Sequence, residues 1–264
     1  MPATRARALP TTGLLATAAL ACALLAGCAA PARHAAEPDT AQRRAQARLA
    51  LASAYFEQGQ AATALEEVDQ ALAADARFAP AWSLRGLAQA SLGDAAAARA
   101  SFERALALEP GDADTRHNFG WFLCQQQRWD ESQAQFERVL AQPGYRAAAR
   151  SLLALGVCQM RAGRWEAAQG SLERAAALEP ANAAAALALA EVLLKRGAPE
   201  RAQGQLQRVS FAPARADAAA LWLAARIEHR LGRQAAVETI GRELRQRFPQ
   251  APQTLALDQG RFDD

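Results

Sequence analysis

The 264-residue sequence holds a single lysine, Lys195, and only three histidines, His34, His117 and His229. Aromatic residues make up 6% of it, with two Tyr and nine Phe. It has no Gly-rich phosphate loop, no Gly-x-Ser-x-Gly elbow and no His-Glu-x-x-His run, which removes the common nucleotide cradle, serine-hydrolase and zinc-protease chemistries. A nucleophilic Ser or Cys needs a partnered His, and neither the histidines nor the cysteines have zinc-ligand spacing. The chain therefore reads as a non-enzyme, with no metal, cofactor or small-molecule substrate implied. An excess of one charge is also missing. The balance is 30 basic against 27 acidic side chains, with the signs interleaved, where a nucleic-acid binder would carry a basic stripe. With 16 Gly and 12 Pro the chain is not collagenous or of low complexity. At 51% hydrophobic and 22% charged it has globular composition, and its abundant alanine favours helix and close helix packing.

One long apolar run is present, Leu14 to Ala26, behind the basic pair Arg5 and Arg7. It is too short to span a bilayer, which takes roughly 20 apolar residues, and it ends in Leu25-Ala26-Gly27-Cys28. Basic n-region, apolar core and small residues before a Cys resemble a bacterial lipoprotein signal. Residues 1–27 are then expected to be removed and Cys28 to carry lipid. Removal leaves 28 basic and 27 acidic side chains, a nearly neutral protein with no affinity for nucleic acid. Residue 29 is Ala rather than Asp. Asp there resembles an inner-membrane retention signal, so the expected location is the outer membrane, on its periplasmic face, held by acyl chains on one Cys. Of the four cysteines, Cys22 leaves with the signal and Cys28 is acylated. Cys124 and Cys158 remain in an oxidising compartment, where a bridge is favoured over a metal site.

Residues 28–44, with Pro31 and Pro38, read as a flexible tether. After them the chain repeats. Trp82, Gly86, Gly93, Ala98, Phe102, Ala105 and Pro110 have the same spacing as Leu152, Gly156, Gly163, Ala168, Leu172, Ala175 and Pro180. The segments SFERALALEP (101–110) and SLERAAALEP (171–180) also match. These are the positions of a tetratricopeptide repeat. Small residues at its eighth and twentieth positions let two helices approach, a large residue at the twenty-fourth fills the space beside them, Gly at the fifteenth turns the chain, and Pro stops the second helix. The frame predicts an all-α superhelix of six helix-turn-helix units over 45–251, starting near 45, 79, 113, 149, 183 and 218, with 252–264 as a loose C-terminal tail. In the third unit Ser132 replaces the small Ala, and Gln142-Pro143-Gly144-Tyr145 makes it two residues longer than its neighbours; in the sixth, Gly241 replaces the large residue. Carboxylates such as Glu103 and Glu173, beside Arg104 and Arg174, read as solvated helix faces.

In such a stack the first helix of each unit lines a concave face. Its fifth, ninth and twelfth positions share one side. They give Leu49, Ser53 and Phe56, then Ser83, Leu87 and Ala90, then His117, Trp121 and Cys124, then Leu153, Val157 and Met160. This is a mostly apolar trough suited to an extended strand or amphipathic helix. The expected groove residues are Phe56, Leu87, His117, Asn118, Trp121, Val157 and Met160, with Phe56 and Trp121 as anchors and Asn118 facing peptide backbone. Trp129 and Trp165, just after the inter-helix turn, read as packing residues.

The run His117-Asn118-Phe119-Gly120-Trp121-Phe122-Leu123-Cys124, the later Leu155-Gly156-Val157-Cys158, the lipobox and the Pro143-Gly144-Tyr145 insertion together resemble the PilF/PilW family of type IV pilus lipoproteins. The likeness spans about 45 to 257; Tyr145 is followed here by Arg146, where the family often has a Tyr-Pro step. It implies a six-repeat array in the outer membrane acting as a pilotin, which helps the pilus secretin reach or assemble there. It also implies that Cys124 and Cys158 pair. A repeat scaffold for another envelope machine, serving barrel assembly or the cell wall, would share the architecture.

Overall fold

The computed structural model describes residues 40–209 and 211–262. The expected signal, the lipobox with Cys28 and the first part of the tether lie outside the described residues. Repeat one is α1 (Thr40–Glu57) and α2 (Ala61–Ala74), repeat two α3 (Ala79–Ser91) and α4 (Ala95–Leu108), repeat three α5 (Ala113–Gln125) and α6 (Trp129–Leu140). Repeat four is α7 (Ala148–Arg161) and α8 (Trp165–Leu178), repeat five α9 (Ala183–Lys195) and α10 (Pro199–Arg208), repeat six α11 (Ala218–Arg230) and α12 (Gln234–Arg247). A short 3-10 turn (Pro213–Arg215) precedes α11, and α13 (Pro252–Asp258) follows α12. No strand occurs among the described residues.

Local chemistry starts and stops these helices. Asp94, Asp112, Asn182 and Asp217 cap α4, α5, α9 and α11, their side chains accepting backbone N–H groups two or three residues on at 2.8–3.2 Å. Each such cap stabilises its helix by about 1 kcal/mol. The turn inside each repeat needs one left-handed residue. Gly59, Gly93, Gly163, Gly197 and Gly232 supply it with φ between +71° and +85°. Repeat three has no glycine there, and Gln127 is forced to φ +58°.

Within a repeat, packing follows a size exchange between the eighth and twenty-fourth positions. Gly86 lies under the Phe102 ring, Gly120 under Phe136 and Gly156 under Leu172. In repeat one the eighth residue is Ala52, and its counterpart is the smaller Val68. All are buried, and so are the small twentieth residues Ala64, Ala98, Ser132, Ala168 and Ala202. Ser132 keeps its hydroxyl satisfied by donating to the Gly120 carbonyl at 2.7 Å. Repeats two and four also bury the same polar pair, Ser101 donating to Gln89 and Ser171 to Gln159 at 2.7 and 2.8 Å.

Between repeats, a continuous row of contacts joins α1, α3, α5, α7, α9 and α11, with the second helices set against that row. The asymmetry curves the stack into a superhelix with first helices on the inside. Ion pairs stitch the repeats across the surface: Arg85–Asp69, Arg99–Glu131, Arg150–Asp114, Arg164–Asp130 and Arg201–Glu173. The carboxylates expected on solvated helix faces are exposed there, with Glu103 paired to Arg99 and Glu173 to Arg201.

Two boundaries differ from expectation. The tether was expected to reach residue 44, yet α1 begins at Thr40, because the Ala/Arg-rich sequence there extends the helix by propensity without an apolar stripe. The loose tail is also corrected. Pro252 opens α13, which buries Thr254, Ala256 and Leu257. Leu257 comes against Gly241, where a Cβ would lie 3.0 Å from its Cδ2. The missing large residue of repeat six is therefore replaced from outside the repeat, and α13 seals the last pair.

Candidate peptide-binding groove

The inner helices place the expected residues along one face in successive turns. Phe56 on α1 and Leu87 on α3 are half-buried, resting with Leu49 on the core of Ala52, Val68, Ala81 and Leu84. Trp121 on α5 is half-buried too, and the Arg161 guanidinium of α7 lies over its ring at 5.1 Å. Val157 and Met160 continue the face on α7, with Met160 and Leu153 reaching the core of repeats four to six. An apolar floor with exposed edges results, interrupted by a cation stacked on an indole.

Cys124 and Cys158 occupy the late part of α5 and α7. Their Cα atoms are 5.7 Å apart, within disulfide range, and the structure joins their sulfurs. Both are buried, so Cys124 is absent from the trough surface despite its twelfth-position spacing. Ser132 sits against this link, its hydroxyl 3.3 Å from the Cys158 sulfur.

His117 differs from expectation. Its Nδ1 is 2.8 Å from the hydroxyl of buried Ser151, which also bonds the Tyr145 hydroxyl at 2.7 Å. Its ring meets Phe136 edge-on, with centroids 5.6 Å apart. Burial, aided by the Arg150 cation and opposed by Asp114, pushes this imidazole down to about 4. Neutral His117 bonds Ser151 through Nδ1, and the Ser151 hydroxyl links it on to Tyr145. The residue locks the long insertion to the junction of repeats three and four, and its Nδ1 is not free for a ligand. Asn118, next to it, makes no side-chain hydrogen bond among the described residues.

In repeat six the same frame selects Trp222, Arg226 and His229 of α11, and these converge on one point in the structure. Phe262, beyond α13, stacks on His229 with centroids 4.0 Å apart and on Trp222 at 5.3 Å. Arg226 donates through Nε to the Phe262 carbonyl at 3.2 Å. Arg161, over Trp121, was also missed; it lies at the thirteenth position, one residue past the spacing rule.

Similarity to known proteins agrees with this geometry. A tetratricopeptide repeat family model matches residues 89–156 and 159–227, and a second matches 49–113. Among solved structures, PilW, described as a widely conserved type IV pilus biogenesis factor, is 27% identical, with a TM-score of 0.74 over 81% of this chain and 97% of that one. PilF of Pseudomonas aeruginosa superposes equally well, TM-score 0.74 over 83% of this chain and 99% of that one, at 19% identity. YrrB, described as a repeat protein with an unusual peptide-binding site, reaches a TM-score of 0.56 at 17% identity over 73% of this chain and 97% of its own. No curated protein matches the chain. The fold is a protein-binding scaffold, and its likeness runs to the pilus factors along almost their whole length. The chain belongs to the tetratricopeptide repeat family and is similar over most of its length to PilW.

Proposed function

We propose that this protein is a lipid-anchored pilotin of the outer membrane, which holds a segment of the type IV pilus secretin in its concave groove while the secretin reaches or assembles in that membrane. The observation that carries the reading is the likeness to PilW, 27% identical over 97% of that chain. The lipobox ending at Cys28 supports placement at the periplasmic face of the outer membrane. The half-buried apolar face of Phe56, Leu87, Trp121, Val157 and Met160 suits an extended strand or an amphipathic helix. The groove would bind protein, with no catalytic step.

The test is the amount of secretin multimer in outer-membrane fractions with the gene intact and deleted. Loss of multimers, with secretin monomer still made, is the expected result. Unchanged multimers would overturn the pilotin role and favour a scaffold for another envelope machine. Within the groove, combined Phe56→Ala and Trp121→Ala should weaken secretin binding while helicity is retained. Unchanged affinity would remove these residues from the binding face.

A further inference from the structure

Repeat six departs from the others in what covers its inner face. Trp222, Arg226 and His229 stand at the three inward positions of α11, and a segment of the same chain already lies on them. The Phe262 ring is nearly parallel to the His229 imidazole, 11° between planes, and makes a second stack on Trp222. The Arg226 side chain is nearly fully buried beneath them, with its guanidinium 3.9 Å from Glu191 of α9. Its Nε donates to the main-chain carbonyl of Phe262. This combines a slot for one aromatic side chain with a cationic donor for the backbone of the same residue, the two elements by which an extended peptide is read.

The segment reaches the slot by one turn. Gly260, at φ +66°, ends α13, with the Gly260 N–H donating to Leu257 and the Arg261 N–H to Ala256. This is the paired bonding of a Schellman stop. Closure of the stack is accomplished separately. Leu257 and Thr254 of α13 pack on α12 and its end, through Gly241 and the Phe248 carbonyl. Phe262 lies past them in the chain, against Trp222, Arg226 and His229 of α11.

We propose that the concave face of repeat six is a subsite for an aromatic residue carried on an extended segment of a partner protein, and that Phe262 is its resident occupant, displaced when the partner docks. The inference rests on the groove reading above, extending it from repeats one to four into repeat six. The occupant is held at high effective concentration by a three-residue turn, so a partner binds more weakly while it is in place. The same three residues that grip Phe262 would then grip the partner.

The probe is a labelled synthetic peptide with the sequence of residues 257–264, titrated against the whole chain, the Phe262→Ala chain and a chain truncated after Gln259. Because no secretin is involved, its failure is distinguishable from failure of the pilotin reading. Phe262→Ala keeps α13 and its stop, so it reports even if the truncated chain does not fold. The expected result is peptide binding at least about tenfold tighter to Phe262→Ala than to the whole chain. Adding Trp222→Ala, or replacing the peptide's own Phe with Ala, should return it to the weak level. Equal binding to both chains, or tight binding indifferent to Trp222, would overturn the proposal. So would a whole chain that is dimeric in solution and becomes monomeric with Phe262→Ala, since the slot would then serve a second copy.

Discussion

Gly156 of α7 lies so close beneath Leu172 of α8 that a Cβ on it would stand 2.5 Å from the Leu172 Cγ. Gly156→Ala should gain helix propensity of about 1 kcal/mol and lose more to overpacking, typically about 1–3 kcal/mol. The expected net effect is destabilisation. Gly170 provides the control, since it lies in α8 with nothing within 4 Å of a built Cβ. Gly170→Ala should therefore stabilise by up to about 1 kcal/mol. Urea titrations of both variants check the opposite signs, and two shifts of the same sign would reject the size-exchange argument.

Gln127 occupies the left-handed turn position that five other repeats give to glycine. A left-handed L-residue costs roughly 1–2 kcal/mol, while glycine costs about 0.5–1 kcal/mol in unfolded-chain entropy. Gln127→Gly should thus raise stability by roughly 0.5–1 kcal/mol, measured as a higher urea midpoint with unchanged slope.

These two sites show why the repeats could be read from the chain and other features could not. A position that must be small, large or left-handed recurs every 34 residues or so, because the same pair of helices meets in the same way each time. Gly86 and Phe102 announce that contact in the sequence itself. Leu257 does not. Its helix, Pro252–Asp258, is too short for a periodic signal and is justified only by the gap at Gly241. The groove was legible as helix faces, since spacing fixes which side a residue occupies. Spacing is blind to cross-repeat partners, so the Ser151 and Tyr145 hydroxyls that bind up His117 were invisible. Trp222, Arg226 and His229 were within reach of the frame; their convergence on Phe262 was not, because it depends on the turn at Gly260.

The Cys124–Cys158 link closes a loop with a sequence separation of 34. On the chain-entropy view that contributes about 3–4 kcal/mol, less whatever strain the native state holds. In a stacked array the loss on reduction should concentrate at the junction it spans. Reduction, or Cys124→Ser with Cys158→Ser, should lower the thermal midpoint and speed proteolysis in the segment joining α6 to α7, leaving repeats one and six protected. Mass spectrometry of the unreduced protein showing two free thiols would reject the link itself.

His117 gives the array a defined acid sensitivity. Its pKa is lowered in the folded chain to about 4 from 6.5. Between those values the unfolded chain binds the proton and the folded chain does not, so stability rises with pH through that window. The stabilisation is fully present above about pH 6.5, declines as pH falls, and levels off below about pH 4. The full shift corresponds to an upper bound of about 3 kcal/mol, which solvent screening of the partly exposed ring reduces. His117→Gln retains a side-chain acceptor for Ser151 and cannot titrate. Thermal midpoints taken from pH 7 down to 4 should fall less steeply for that variant than for the parent. Parallel curves would show that burial does not hold His117 in its neutral form in the folded chain.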